Sequence, residues 1–353
     1  MSEFGVYVHI PFCRHRCDYC AFATWTDRDN IMDVYVDAVI ADIETKVASG
    51  MPIADTVFFG GGTPTRLDPE LIARIVRAIP VSENAEITIE CNPDDVTVEM
   101  MTVYVNAGVN RISMGVQSMV DHVLASLGRT HDPANVVRAV NAARAAGITS
   151  INLDLIYGVH GESVDDWRTT VERAIEMNPT HISAYGLTVE AGTPLADDPS
   201  RHPDDDDQAD KYVLVDDLLC AAGMHNYEIS NWALPGHECR HNQVYWSQGN
   251  YTGFGCAAHS HLDGRRWWNM RTPERYIDAV QKGESVEAAD EVLDDATRAR
   301  EALELSLRTS HGVPAGTLDT VFLEGLVTVV GERIVLTRKG RLLANEVSLR
   351  LTP

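Results

Sequence analysis

Over its first two hundred residues the chain alternates short β-branched runs with amphipathic stretches, at a spacing of about 30 residues. That is the pattern of βα units feeding a parallel sheet. Six strand-like runs stand out, at residues 6–10, 56–60, 86–91, 111–116, 151–156 and 181–187. Helix-like segments at 34–48, 69–78, 133–146 and 164–177 lie between them. Two begin with Asp-Pro (Asp68-Pro69 and Asp132-Pro133), a capping carboxylate before a proline at the first helical position.

Six units fall short of a closed eight-stranded barrel, and a doubly wound sheet has the same local pattern. The polar residues favour a barrel. The run Gly60-Gly61-Gly62-Thr63, Glu90, Gln117, Asp154 and Thr188 all fall at or just past predicted strand ends, the end at which barrels build their sites. The expected fold is α/β, a partial (β/α)6 TIM-like barrel. Past a polar connection at 199–210, a helix is predicted at 212–223. Residues 225–270 are rich in aromatics, glycine and histidine and poor in periodicity. A helix at 297–308, a hairpin within 325–337 and a helix at 338–347 predict a small winged-helix-like module. The expected division is therefore 1–200, 201–290 and 291–353.

A net charge of -23 repels polyanions at long range, and no basic patch offsets it, so nucleic acid is not an expected partner. The acidic run Asp204 to Asp207 reads as a solvated loop. No apolar run approaches the roughly 18 residues of a membrane span, and the amino terminus lacks a signal-peptide pattern. A soluble, cytoplasmic protein is expected. Of seven cysteines, three are packed together and four are scattered, which fits a reducing compartment and a metal site better than a disulfide framework.

The packed three are Cys13, Cys17 and Cys20, spaced C-x3-C-x2-C directly after the first strand. Three thiolates are one short of closing a tetrahedral zinc site or a four-iron cluster. Zinc would recruit His15 or another histidine. A redox dithiol would leave one cysteine without a task. A four-iron cluster held by three cysteines keeps one iron open to an outside ligand.

Together with Tyr7, the run Gly60 to Thr65 and the run Glu90 to Pro93, this loop resembles the radical S-adenosylmethionine superfamily. Within it the chain resembles the oxygen-independent coproporphyrinogen III oxidase group over nearly its whole length. The resemblance implies a [4Fe-4S] cluster on the three cysteines and S-adenosylmethionine on the open iron, the cofactor supplying a deoxyadenosyl radical and the protein supplying placement. The cofactor-contacting residues it implies are Tyr7, Tyr19, Gly61, Gly62, Thr63, Glu90, Gln117, Arg129 and Asp154. The glycine run is expected to bring backbone N–H groups close to the cofactor.

Two departures separate the chain from those oxidases. Phe22 stands where they carry a fourth cysteine, and the chain begins within ten residues of the first strand, where they carry an extension. Both match the related haem chaperone (HemW-like) family, whose H-N-x-x-Y-W signature reads here His241-Asn242-Gln243-Val244-Tyr245-Trp246. The resemblance makes haem a third bound group. His241 offers an imidazole to its iron, and Tyr245 and Trp246 offer flat apolar area to its ring. Arg240, Arg265 and Arg266 are expected to neutralise propionates; Cys239, His259 and His261 are further possible ligands. The function implied is haem binding and delivery to haem-requiring respiratory proteins, with room for peripheral membrane contact and a homodimer. The alternatives are the oxidase reaction itself, oxidative decarboxylation of coproporphyrinogen III, and a radical enzyme acting on another substrate.

Overall fold

The computed structural model describes residues 3–129, 131–320 and 323–351. Its centre is the predicted parallel sheet, with strands β1 (Phe4–Ile10), β2 (Ala54–Gly61), β3 (Val81–Cys91), β4 (Arg111–Gln117), β5 (Ser150–Tyr157) and β6 (His181–Gly186) in sequential order. Between them run α1 (Met32–Ala48), α2 (Pro69–Ala78), α3 (Val98–Ala107), α4 (Asp121–Ser126), α5 (Pro133–Ala145) and α6 (Val164–Glu176). Both Asp-Pro starts cap as the sequence implies: Asp68 accepts from the N–H of Glu70 at 2.9 Å, and Asp132 from that of Ala134 at 2.7 Å. At α6, Ser163 and Asp166 form a reciprocal capping box.

Strand alternation sorts the side chains. Val6, Val8 and Ile10 of β1 are buried in the main apolar core with residues of the covering helices. The opposite face lines the barrel interior, and its lower half is polar. Asn152 donates to Ser113 at 2.7 Å, to Asp154 at 2.8 Å and to Ser183 at 2.9 Å. His181 bridges Asn152 and Tyr227 at 2.6 and 2.8 Å. Asn152, Ser113, Ser183, His181 and Tyr227 are buried and Asp154 is half-buried, so the network's hydrogen bonds repay the desolvation of its polar groups.

The sheet does not stop at six strands. After α7 (Asp205–Ala221) come β7 (His225–Glu228) and β8 (Asn231–Ala233); β8 adds antiparallel to β6, and β7 adds antiparallel to β8 at the edge. The short helix α8 (Arg240–Trp246) then leads to β9 (Asn250–Phe254), which pairs in parallel with β1 on the other edge. Beyond β9 come β10 (His259–Leu262), β11 (Arg265–Asn269) and, after α9 (Pro273–Lys282), β12 (Glu287–Val292). Twelve strands thus form one open sheet.

The acidic run is not a loop. Asp204 caps α7 through the N–H of Asp207 at 2.9 Å, and Asp205 to Asp207 fill its first turn, where the helix dipole favours anions. Asp207 also reaches the buried Lys211 at 2.7 Å. After β12, α10 (Asp295–Leu307) precedes a three-stranded sheet of β13 (Val313–Pro314), β14 (Val327–Val330) and β15 (Arg333–Leu336), with α11 (Arg338–Leu342) and α12 (Ala344–Arg350) behind it. The predicted final helix is broken at Leu343. This carboxyl-terminal segment has its own small core, including Leu307, Leu326, Ile334 and Val347.

The cysteine loop, the barrel mouth and the cavity beside it

The loop carrying Cys13, Cys17 and Cys20 is tied down at both ends. Trp25 donates to the carbonyl of Pro11 at 2.8 Å, Cys13 to that of Trp25 at 3.0 Å, and Cys20 to that of Cys17 at 3.1 Å. Arg14 pairs with Asp95 at 2.9 Å, and Arg201 holds Asp18 at 2.9 Å. Two cationic or hydroxyl donors face the sulfurs: Arg129 approaches Cys17 and Thr63 approaches Cys13, each at 3.6 Å. Burial raises the Cys13 and Cys20 thiols, with the neighbouring cysteine sulfurs adding to it. Three thiols on one short loop, within electrostatic reach of one another, suit a polynuclear centre that takes a thiolate at each of several corners. Among the described residues no three His, Cys, Asp or Glu side chains converge as a single ion requires. His15 is exposed.

The glycine run works by size rather than by offering N–H groups. The N–H of Gly61 goes to Glu90 at 3.2 Å, that of Gly62 to the carbonyl of Ile10 at 2.8 Å and that of Thr63 to the carbonyl of Phe12 at 2.9 Å. All three donors are spent on the protein. A Cβ at Gly62 would stand 2.8 Å from the carbonyls of Ile10 and Phe12, and one at Gly61, where φ is +107°, would stand 2.4 Å from His9. The end of β2 therefore packs directly beneath the chain entering the cysteine loop, and only glycine permits it.

Glu90 and Asp154 share the mouth above the polar network. Burial, then the charge of Asp154, push Glu90 up to about 8. Burial raises Asp154 as well, against hydrogen bonds from Ser113, Ser183 and Asn152. Two neighbouring carboxyls whose surroundings both favour the protonated form are placed to gain from a cation arriving between them. Gln117 ends β4 with φ at +64°, a conformation that costs a non-glycine residue energy and is found at ligand clamps. Its neighbour Arg129 donates to the carbonyl of Gly115 at 2.8 Å. Tyr7 reaches His9 at 3.1 Å, and Tyr19 packs against the minor core around Val123 and Leu195. Tyr7, Gly61, Gly62, Thr63, Glu90, Gln117, Arg129 and Asp154 thus meet at the carboxyl end of the strands, with Tyr19 in the cysteine loop.

The H-N-x-x-Y-W helix lies lower. His241 is 1% exposed, with Nδ1 to Thr56 Oγ1 at 2.8 Å and Nε2 to Tyr245 Oη at 2.7 Å, and it stacks on Phe58 at 5.4 Å. Burial, aided by Arg111, lowers it to about 3. Glu86 accepts from the N–H groups of Arg240 and His241, holding the first turn of α8. Asn242 is half-buried. Tyr245 faces a cavity of about 560 Å³ between the cysteine loop and β9–β11, whereas Trp246 faces a second one of about 570 Å³ toward Ser310 and Arg333.

Four further expectations meet other partners. Arg240 pairs with Glu3, Arg265 with Glu287 and Asp290, and Arg266 with Glu291 and Glu301, so these three cations are already neutralised by the protein. Cys239 is fully buried beside Glu86 with its thiol pushed up to about 12.

Residues 7–174 match the Radical SAM superfamily. The chain is 40% identical to the heme chaperone HemW of Mycobacterium tuberculosis, over 98% of this chain and 94% of that one. It is 35% identical to the Escherichia coli K12 heme chaperone HemW, over 98% and 97%. The chain belongs to the HemW family of radical SAM proteins. The family carries a [4Fe-4S] cluster and S-adenosylmethionine, and the donor set and mouth described above fit both. The fold also matches the coproporphyrinogen III oxidase HemN of E. coli, a radical SAM enzyme, with a TM-score of 0.86 at 23% identity over 98% of this chain and 89% of that one. At that identity the likeness concerns the fold.

Several residues around this family site carried no sequence signal. His9 in the mouth, Tyr251 in the cavity wall and Arg271 at its rim belong to no motif. His9 alone was findable, as the next inward position after Tyr7 on β1.

Proposed function

We propose that this chain binds haem in the cavity beside the cysteine loop and delivers it to haem-requiring respiratory proteins from the cytoplasm. The observation that carries this reading is the likeness of nearly the whole chain, at 34–40% identity, to proteins named heme chaperones. In this reading Cys13, Cys17 and Cys20 hold the cluster. Tyr7, Tyr19, Gly61, Gly62, Thr63, Glu90, Gln117, Arg129 and Asp154 hold S-adenosylmethionine. When bound, the pair supplies reductive radical chemistry. Glu90 and Asp154 receive the cationic and hydroxyl parts of the cofactor, and Arg129 offsets the negative charge gathered on Cys17.

The signature helix serves as a wall. Tyr245 faces the haem cavity, and His241 fixes it through the 2.7 Å bond between them, while Asn242 and Trp246 seat α8 between the two cavities. The labour divides along the chain: residues 1–200 hold the cluster and cofactor, 201–290 build the haem walls, and 291–353 add Glu301 and Leu305 over the cavity. Among the described residues no helix is long and apolar enough to cross a membrane, so contact with membrane-bound recipients is proposed to be peripheral.

The test is an anaerobic titration of the cluster-loaded chain with haem, run beside an assay with coproporphyrinogen III. Saturable uptake of one haem per chain with a shifted Soret band, and no protoporphyrinogen formed, is the expected result. Turnover of the porphyrinogen without haem uptake would transfer the assignment to the oxidase.

A further inference from the structure

Four histidines border the cavity beside the cysteine loop or the helix that walls it, and three are already committed at both ring nitrogens. His9 is held by Tyr7 at 3.1 Å and the carbonyl of Ala23 at 2.9 Å. His241 is held by Thr56 and Tyr245. His261 is held by the carbonyl of Gly249 at 2.9 Å and accepts from the N–H of Gly264 at 3.1 Å. His259 differs: it is exposed, it lines the cavity, and neither ring nitrogen has a hydrogen-bond partner among the described residues. Its ring is not adrift, since it stacks on Trp268 at 5.7 Å with 28° between planes. A fixed imidazole with an open lone pair is what an iron porphyrin needs from a protein.

The rest of the cavity suits the same ligand. Its volume, about 560 Å³, lies inside the range of roughly 300–1,000 Å³ that encloses ligands of this size. Phe22, 68% exposed, Tyr251 and Leu305 supply apolar area. Arg266 is consumed by Glu291 and Glu301, but Arg271, also in the lining, is exposed with no carboxylate partner among the described residues. A free guanidinium at the rim is matched to a carboxylate on the ligand. Burial, with the charge of Arg266, lowers His259 below its ordinary value, which keeps the imidazole in its neutral, ligating form.

We infer that His259 supplies the protein's axial bond to haem iron in this cavity and that Arg271 receives a haem propionate. The inference rests on the haem-binding reading above and gives it a specific ligand pair, on β10 and just after β11 rather than on the signature helix.

The test titrates haem into the cluster-loaded full chain and its H259G and R271A variants, with far-UV circular dichroism and the cluster absorption as controls for folding. H259G is expected to bind haem at least about tenfold more weakly, the loss of one 1.4 kcal/mol increment or more, with the spectrum of an imidazole ligand gone. Added free imidazole is expected to restore both affinity and spectrum, which it would not do if the side chain mattered only to folding. R271A is expected to weaken haem but not haem dimethyl ester. An H259G variant with unchanged Soret band and affinity, or a deficit that imidazole does not repair, overturns the ligand assignment while leaving the haem reading intact. Equal losses of haem and its ester in R271A remove the propionate contact. A wild-type chain that takes up no haem overturns the haem reading and this inference together.

Discussion

Replacing Cys17 by serine is expected to strip the protein of its cluster: after anaerobic reconstitution the variant should lack the broad absorption at about 400 nm and nearly all bound iron. The reason is arithmetic. In the proposed ligand set three thiolates are all the protein supplies, so losing one would leave two corners of the cluster without a protein sulfur. An alcohol does not substitute, because it stays protonated where a thiol ionises. Arg129, 3.6 Å from Cys17, would then face no negative sulfur, so S-adenosylmethionine binding should fall as well. Iron and acid-labile sulfide analysis checks the first claim, and full retention of both would remove Cys17 from the ligand set.

The second large effect concerns the scaffold. Lys211 on α7 is completely buried, with Nζ 3.1 Å from Glu162 Oε2, 2.9 Å from the Glu162 carbonyl and 2.7 Å from Asp207. Glu162 also accepts from the N–H groups of Gly158 and Val159, clamping the turn between β5 and α6. Lys211→Met keeps the volume but leaves the Glu162 carboxylate buried without a cation, at a cost of about 3–5 kcal/mol. Burial already raises Glu162 in the intact protein, and losing Lys211 raises it further. A carboxyl whose folded pKa lies above its unfolded value favours the folded state only while protonated, so the loss should be small at acid pH. It should grow as pH rises through the folded pKa. Urea unfolding at two pH values measures this. A midpoint unchanged at alkaline pH would show that the pair contributes nothing, and adding Glu162→Leu should recover most of the loss.

How far the sequence carries the structure depends on how locally each feature is specified. The six strands of the parallel core were legible because each is a β-branched run buried on both faces, as β1 shows with Val6, Val8 and Ile10 outward and Tyr7 and His9 inward. The first half of β3 was not, since Val81 to Asn84 is polar and largely exposed. The strands between residues 225 and 292 were missed because they are three to six residues long and the pairing that joins them to the core is remote: Phe4 faces Asn250 across the β1–β9 ladder. The acidic run misled because a row of like charges has the composition of a loop, while its position at a helix start makes it a cap.

The candidate site divides in the same way. The cysteine loop and the residues at strand ends were readable because a βα repeat fixes where strand ends go. The environment of His241 was not, since Thr56 lies 185 positions away and nothing in H-N-x-x-Y-W announces that both ring nitrogens are occupied. His259 was visible only as one of two histidines in a glycine-rich stretch, and what distinguishes it from His261 is the Gly249 carbonyl and Gly264 N–H that engage one and not the other.

The most direct test is transfer itself. The haem-loaded, cluster-bearing chain is mixed anaerobically with a haem-free respiratory cytochrome and the Soret band is followed. The account predicts that the band of the loaded chain is replaced by that of the cytochrome, with one haem leaving each chain. Haem that remains on the chain at equilibrium, or a cytochrome that fills no better than from free haem, would contradict it.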